Sequence, residues 1–191
     1  MAQNGFTIWP NSIAITASEI RSAFKIDHAG NKWYSTNKGV YKFDGTGWYT
    51  YNTGNSAIPG NNVSGLAIDP ANNVWVATQN GIAKFDGTTW TVYNSSNSGL
   101  VNDTVNCIHA ESSNIWAGTQ QGLSTFYGTS WTLYNTGNSG IINNNMTTVN
   151  VNATGGVCVA PSGGLAVKAA SLCIHHYEVY APTTIYFESA G

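Results

Sequence analysis

Charge is what this sequence has least of. Charged residues make up 8% of its 191 positions, seven basic and nine acidic, against roughly 25% in an ordinary soluble domain. With a net charge of −2 there is no basic face to neutralise phosphates, which argues against nucleic acid as a partner. Long apolar runs are missing too: none approaches the roughly 20 residues of a membrane-spanning helix. The opening MAQNGFTIWPNS has no basic region followed by an apolar core, so no intact secretion signal is read there. Cysteine is scarce. Cys107, Cys158 and Cys173 cannot all pair within one chain, and their spacing matches no zinc pattern. No HExxH, Gly-x-Ser-x-Gly or phosphate-loop motif occurs. The expectation is a chain that is not an enzyme and carries neither metal nor cofactor.

Asn, Thr, Ser and Gly take the place of the missing charges. Neutral polar surfaces of this kind are common on proteins that work outside the cytoplasm. Disorder is excluded, because the 42% hydrophobic and 12% aromatic residues fall in patterned segments.

The pattern is clearest in Asn73 to Asn94, NVWVATQNGIAKFDGTTWTVYN. Three short strands are read there: Val74 to Thr78, Ile82 to Phe85 and Trp90 to Tyr93. Gln79-Asn80-Gly81 and Asp86-Gly87-Thr88 separate them, and Asx-Gly pairs suit tight turns because they tolerate positive φ. The stretch recurs as NKWYSTNKGVYKFDGTGWYTYN from Asn31, as NIWAGTQQGLSTFYGTSWTLYN from Asn114, and in worn form as GVCVAPSGGLAVK from Gly156. Trp33, Trp75, Trp116 and Cys158 are spaced 42, 41 and 42 residues apart. One more strand precedes each copy, at Ala23 to Asp27, Val63 to Asp69, Val105 to Glu111 and Met146 to Asn152. In these, Phe24 and Ile26, Leu66 and Ile68, and Val149 and Val151 alternate as a half-buried strand should.

Four short strands per period of about 40–45 residues define a β-propeller blade. A four-stranded sheet that is apolar on both faces is satisfied when blades stack around an axis. A β-sandwich also uses short strands but gives no reason for one unit to recur with the same Trp pair. The predicted fold is therefore all-β: a propeller of about four four-stranded blades, completed by oligomerisation if the ring does not close within one chain. The blades are placed at 20–52, 62–94, 104–135 and 147–168. A leading orphan fourth strand lies at 6–10, where Trp9 sits 42 residues before Tyr51. Repeats occupy 1–170, and an irregular tail follows at 171–191. In the tail, Cys173 to Tyr177 competes for the fourth-strand position, and Thr183 to Glu188 reads as a spare strand suited to pairing with a sheet edge. Cys158, at a Trp position, is expected to be a buried free thiol, with a Cys158–Cys173 bridge as the alternative.

The segment IDPANNVWVATQNGIAKFDGTTW, Ile68 to Trp90, resembles the two-component regulator propeller repeat. The resemblance runs over roughly residues 20 to 168. It implies an extracellular or periplasmic module of the kind that builds sensor domains of bacterial membrane kinases. The transmembrane and kinase parts of such sensors are not read in this sequence.

Residues repeated in every copy are expected to be scaffold. Trp48, Trp90 and Trp131 read as packing groups, Asp44 and Asp86 as turn formers, and Asp27 and Asp69 likewise as turn residues. Of the histidines, His28 falls in a turn, His109 on a first strand and His175-His176 in the tail. They do not assemble the His and Glu set that a streptogramin-type lyase, the minor alternative, would require. Candidate ligand contacts are instead the amide-rich residues of one face: Asn37, Lys38, Gln79, Asn80, Gln120 and Gln121 between second and third strands. Asn61, Asn62, Asn102, Asp103, Asn144 and Asn145 join them from the loops between blades. Amides donate and accept together, which suits sugar hydroxyls or peptide backbone. The expected function is a non-catalytic recognition module for carbohydrate or protein. The alternative is a structural subunit that self-associates through its terminal strands.

Overall fold

The computed structural model describes residues 20–152 and 156–168. The expectations for strand 6–10 and for the tail, including Cys173, His175 and His176, lie outside the described residues. Each 42-residue unit folds as an antiparallel meander. The first blade holds β1 (Ile20–Ile26), β2 (Lys32–Thr36), β3 (Gly39–Phe43) and β4 (Trp48–Tyr51). The second holds β5 (Val63–Ile68), β6 (Val74–Thr78), β7 (Gly81–Phe85) and β8 (Trp90–Tyr93). The third holds β9 (Val105–Glu111), β10 (Asn114–Thr119), β11 (Gly122–Phe126) and β12 (Trp131–Tyr134). The fourth has three described strands, β13 (Met146–Val151), β14 (Val157–Pro161) and β15 (Ala166–Lys168). Strand order within each sheet follows the chain. The all-β propeller architecture expected from the repeat is the one observed.

Alternation along the strands gives every blade two apolar faces, and neighbours bury them. Between the first and second blades lie Trp33, Val40, Leu66, Val76 and Phe85. Between the second and third lie Trp75, Ile82, Ile108, Ile115 and Phe126. Trp116, Leu123, Val149, Val157 and Val159 fill the third such layer. In each layer a Trp from the second strand of one blade stacks on a Tyr from its own fourth strand: Trp33 on Tyr51 at 5.8 Å, Trp75 on Tyr93 at 5.5 Å, Trp116 on Tyr134 at 6.2 Å. Trp90 and Trp131, read as packing groups, lie partly buried against the first two layers.

The first strand of each blade is innermost. β1 packs on β5, β5 on β9 and β9 on β13, and among the described residues no comparable packing joins β13 to β1. A register shift between Val63 and Gly65 leaves Ser64 out of the ladder, as a β-bulge does. Its hydroxyl donates to the Val105 carbonyl of the next blade. Asn106 repeats the device, donating to the Met146 carbonyl at 2.9 Å.

Two first-strand aspartates are more than turn residues. Asp69, 8% exposed, accepts the Trp75 indole N–H at 2.9 Å and the Asn73 side-chain N–H at 2.7 Å. Asp27 does the same for Trp33 and Asn31. The third blade has Glu111 and one residue fewer before its Trp, and Glu111 instead accepts the Ser112 hydroxyl. Burial alone would raise the Asp27 pKa, but the bonds from Trp33, Asn31 and Ala29 outweigh it and hold it below 3.8. A depressed folded pKa means stability that is present above the unfolded value, about 3.9, and lost as pH falls through the folded value. The wild type is therefore expected to lose more stability between about pH 5 and pH 2.5 than Asp27→Asn does, as read by urea unfolding at each pH.

Two expectations are corrected. Cys158 is disulfide-bonded, not a free thiol, and its partner lies outside the described residues; a Cys at the repeat's Trp position carries no local sign of whether it pairs. Cys107 is the free cysteine among the described residues, and burial pushes its thiol up to about 12. Phe24 and Ile26, expected to be half-buried, are 48% and 55% exposed, because no described blade lies against that side of the first sheet.

Candidate binding face

The turns between second and third strands are built by one recurring device. A buried Thr hydroxyl donates to the carbonyl of the glycine three residues on, and accepts the N–H two residues on. Thr36, Thr78 and Thr119 do this with Gly39, Gly81 and Gly122 at 2.8, 2.9 and 2.8 Å. The N–H groups accepted belong to Lys38, Asn80 and Gln121. With the Thr turned inward, the two residues at each tip point out: Asn37 and Lys38, Gln79 and Asn80, Gln120 and Gln121 are all exposed.

The loops between blades lie along the same edge. The Gly81 N–H donates to the Asp103 carbonyl at 2.7 Å, the Gln120 N–H to the Thr104 carbonyl at 3.2 Å and the Ser162 N–H to the Asn145 carbonyl at 2.8 Å. The predicted turn and loop residues therefore do share one face. Within it they divide into two kinds. Side-chain oxygens of Asn61, Asp103 and Asn144 accept the N–H groups of Thr53, Ser95 and Thr136 at 2.8, 2.6 and 2.9 Å. Asn102 accepts from Thr104, and Asn145 bonds Ser162 and Asn106. These side chains hold the loops in shape. By contrast, the side-chain amides of Asn37, Gln79, Asn80, Gln120, Gln121 and Asn62 have no hydrogen-bond partner among the described residues.

The FDG aspartates behave as turn formers. The Asp44 carboxylate accepts the Gly47 and Thr46 N–H groups and the Thr46 hydroxyl, and Asp86 accepts the equivalent set from Thr89 and Thr88. These bonds hold both carboxyls far below the usual range. Tyr127 takes the position in the third blade, its hydroxyl 3.3 Å from that of Tyr134. His28 lies in the first turn, its N–H bonded to Asn72 at 2.7 Å. His109 lies half-buried on β9, its pKa lowered by burial and by Lys25, with Glu111 opposing. Among the described residues no group of three or more His, Cys, Asp or Glu is placed to hold a metal ion. No described helix is long and apolar enough to cross a membrane.

Residues 57–80, from the loop before β5 to the β6–β7 turn, match the family model for the two component regulator propeller. The resemblance read from Ile68 to Trp90 thus holds at the level of the repeat. No curated protein matches the chain. Among solved structures, it is similar to the extracellular domain of the hybrid two component system BT3049 from B. thetaiotaomicron. That likeness has a TM-score of 0.68 at 21% identity, over 78% of this chain and 21% of that one. The extracellular domain of the one component system BT4673 from the same organism gives 0.62 at 20% identity, over 85% and 23%. Virginiamycin B lyase from Staphylococcus aureus gives 0.60 at 11%, over 82% and 55%. At these identities the likeness establishes the fold. The chain spans only about a fifth of the length of the two extracellular domains.

Proposed function

We propose that the chain is a non-catalytic recognition module working outside the cytoplasm, and that it binds a neutral carbohydrate or an extended protein segment on the turn-and-loop face. The observation that carries this reading is the division of amides on that face. The loop side chains of Asn61, Asn102, Asn144 and Asn145 are committed internally, while the side-chain amides of the hairpin tips Gln79, Asn80, Gln120 and Gln121 are exposed and have no hydrogen-bond partner among the described residues. Amide pairs offer both donors and acceptors to hydroxyls or peptide groups, and a face poor in charge suits neutral ligands. The resemblance to extracellular domains of one- and two-component systems supports the location.

Glycan arrays and protein pull-downs test the reading. A ligand found by either is expected to bind Gln79→Ala/Gln120→Ala roughly tenfold or more weakly, since two neutral hydrogen bonds contribute about 1–3 kcal/mol together. Asn61→Ala is expected to act through loop shape, lowering thermal stability along with affinity. Unchanged affinity in the double variant would remove the hairpin tips from the site.

A further inference from the structure

A meander blade ends on an open edge. In the first three blades the last strand, β4, β8 or β12, has a strand neighbour on one side only among the described residues. Such an edge offers unpaired N–H and C=O groups to any strand that comes beside it. Charged side chains or proline commonly blunt these edges. Here the three strands read WYTY, WTVY and WTLY. They carry neither charge nor proline, and they are rich in the aromatic and β-branched residues that favour strand pairing.

The loops that follow supply what the strands lack. The pattern Asn-x-x-Asn-Ser recurs at Asn52 to Ser56, Asn94 to Ser98 and Asn135 to Ser139. In each copy the second Asn folds back along the edge. The Asn55 side-chain N–H donates to the Thr50 carbonyl at 2.9 Å, and its side-chain oxygen accepts the Asn52 N–H at 2.8 Å. Asn97 bridges Val92 and Asn94 in the same way at 3.0 and 2.9 Å. Asn138 bridges Leu133 and Asn135 at 3.0 and 2.8 Å. A carbonyl and the N–H two residues on, at one edge, are groups that a neighbouring strand would pair with. One side-chain amide, with its donor and its acceptor, takes both. The loop holds the amide in place: Ser56, Ser98 and Ser139 each donate an N–H and a hydroxyl to the carbonyl of the first Asn.

We infer that Asn55, Asn97 and Asn138 close the outer edges of the first three blades to strand addition. On this rim neutral amides do what charges do on others. The partner excluded is an extended strand from another chain, a second copy of this one included. All three side chains are exposed, so the recurring bonds serve the edge of the sheet and not its interior.

Asn97→Ala/Asn138→Ala in the full chain reopens two edges and leaves the first blade as it is. This variant is expected to self-associate roughly tenfold or more tightly than the wild type, because each reopened edge frees two backbone hydrogen-bonding groups. Sedimentation across a concentration range reads the change. Two further variants separate edge pairing from a loosened loop. Ser98→Ala/Ser139→Ala removes turn bonds but keeps both amide bridges, and should associate no more than the wild type. Adding Thr91→Glu/Thr132→Glu to the asparagine variant puts charges at exposed positions of β8 and β12. That should return association to the wild-type level without restoring the bridges. Wild-type association in the asparagine variant overturns the inference. So does association that the serine variant reproduces, or that the added glutamates leave in place, since either traces it to the loop.

Discussion

Replacing Trp75 with alanine is expected to cost about 3–5 kcal/mol of stability, the range for deleting a buried large aromatic. Trp75 is 2% exposed and sits where two blades meet, 5.5 Å from the Tyr93 ring and 5.6 Å from that of Phe126. Its loss opens a cavity in the layer between second and third blades and removes the indole donor from a buried Asp69. Both consequences act in one direction. With total stabilities of about 5–15 kcal/mol for single domains, much of the folded population would be lost. Urea unfolding followed by Tyr and Trp fluorescence measures the change. Trp75→Phe, which keeps the ring stacking and loses the N–H, should cost less, and its deficit isolates the bond to Asp69. A wild-type midpoint in the alanine variant would show that the layer carries little of the stability.

The second large effect is expected at Gly81. Its φ of +117° is a conformation that side chains rarely adopt. A Cβ there would also stand 2.6 Å from the Tyr93 carbonyl of the neighbouring strand. Strained backbone costs about 1–3 kcal/mol and overpacking about as much again, so Gly81→Ala is expected to lose roughly 2–6 kcal/mol. Gly87 provides the control. It has a φ of +102°, but open space surrounds its missing Cβ. Gly87→Ala should therefore lose the backbone component alone. Equal losses in thermal or urea unfolding would mean that the approach of the two strands is not what the glycine serves.

Why these positions could be read from the sequence is instructive. Strands β6, β8 and β9 have the limits that Val74–Thr78, Trp90–Tyr93 and Val105–Glu111 suggested, because side-chain alternation and Asx-Gly turns are local. Repetition then separated scaffold from the rest: Asp86 recurs as Asp44 and serves a turn in both places. What repetition hid was interaction within the scaffold. Asp27 and Asp69 looked like turn residues, yet each stands six positions before a Trp, and the shared interval was the available sign of the carboxylate-to-indole bond. The committed roles of Asn61, Asn102 and Asn144 were invisible, since an amide oxygen that caps a loop and one that awaits a ligand have the same letter. Exposure of Phe24 was hidden for another reason. Alternation tells which side of a strand is apolar, whereas burial depends on whether another blade lies against it.

The bulge hydrogen bonds from Ser64 and Asn106 have a further consequence. Each reaches to the next blade, as do all three apolar layers, so the packing between described blades is made of junctions between immediate neighbours. A chain organised in this way behaves nearly as a one-dimensional array, in which stability is a sum of unit and junction terms. Folding can then proceed in the order of synthesis, each emerging meander finding its template in the one already formed. A lesion at one junction, such as the loss of Trp75, should then weaken the two blades that meet there more than the others.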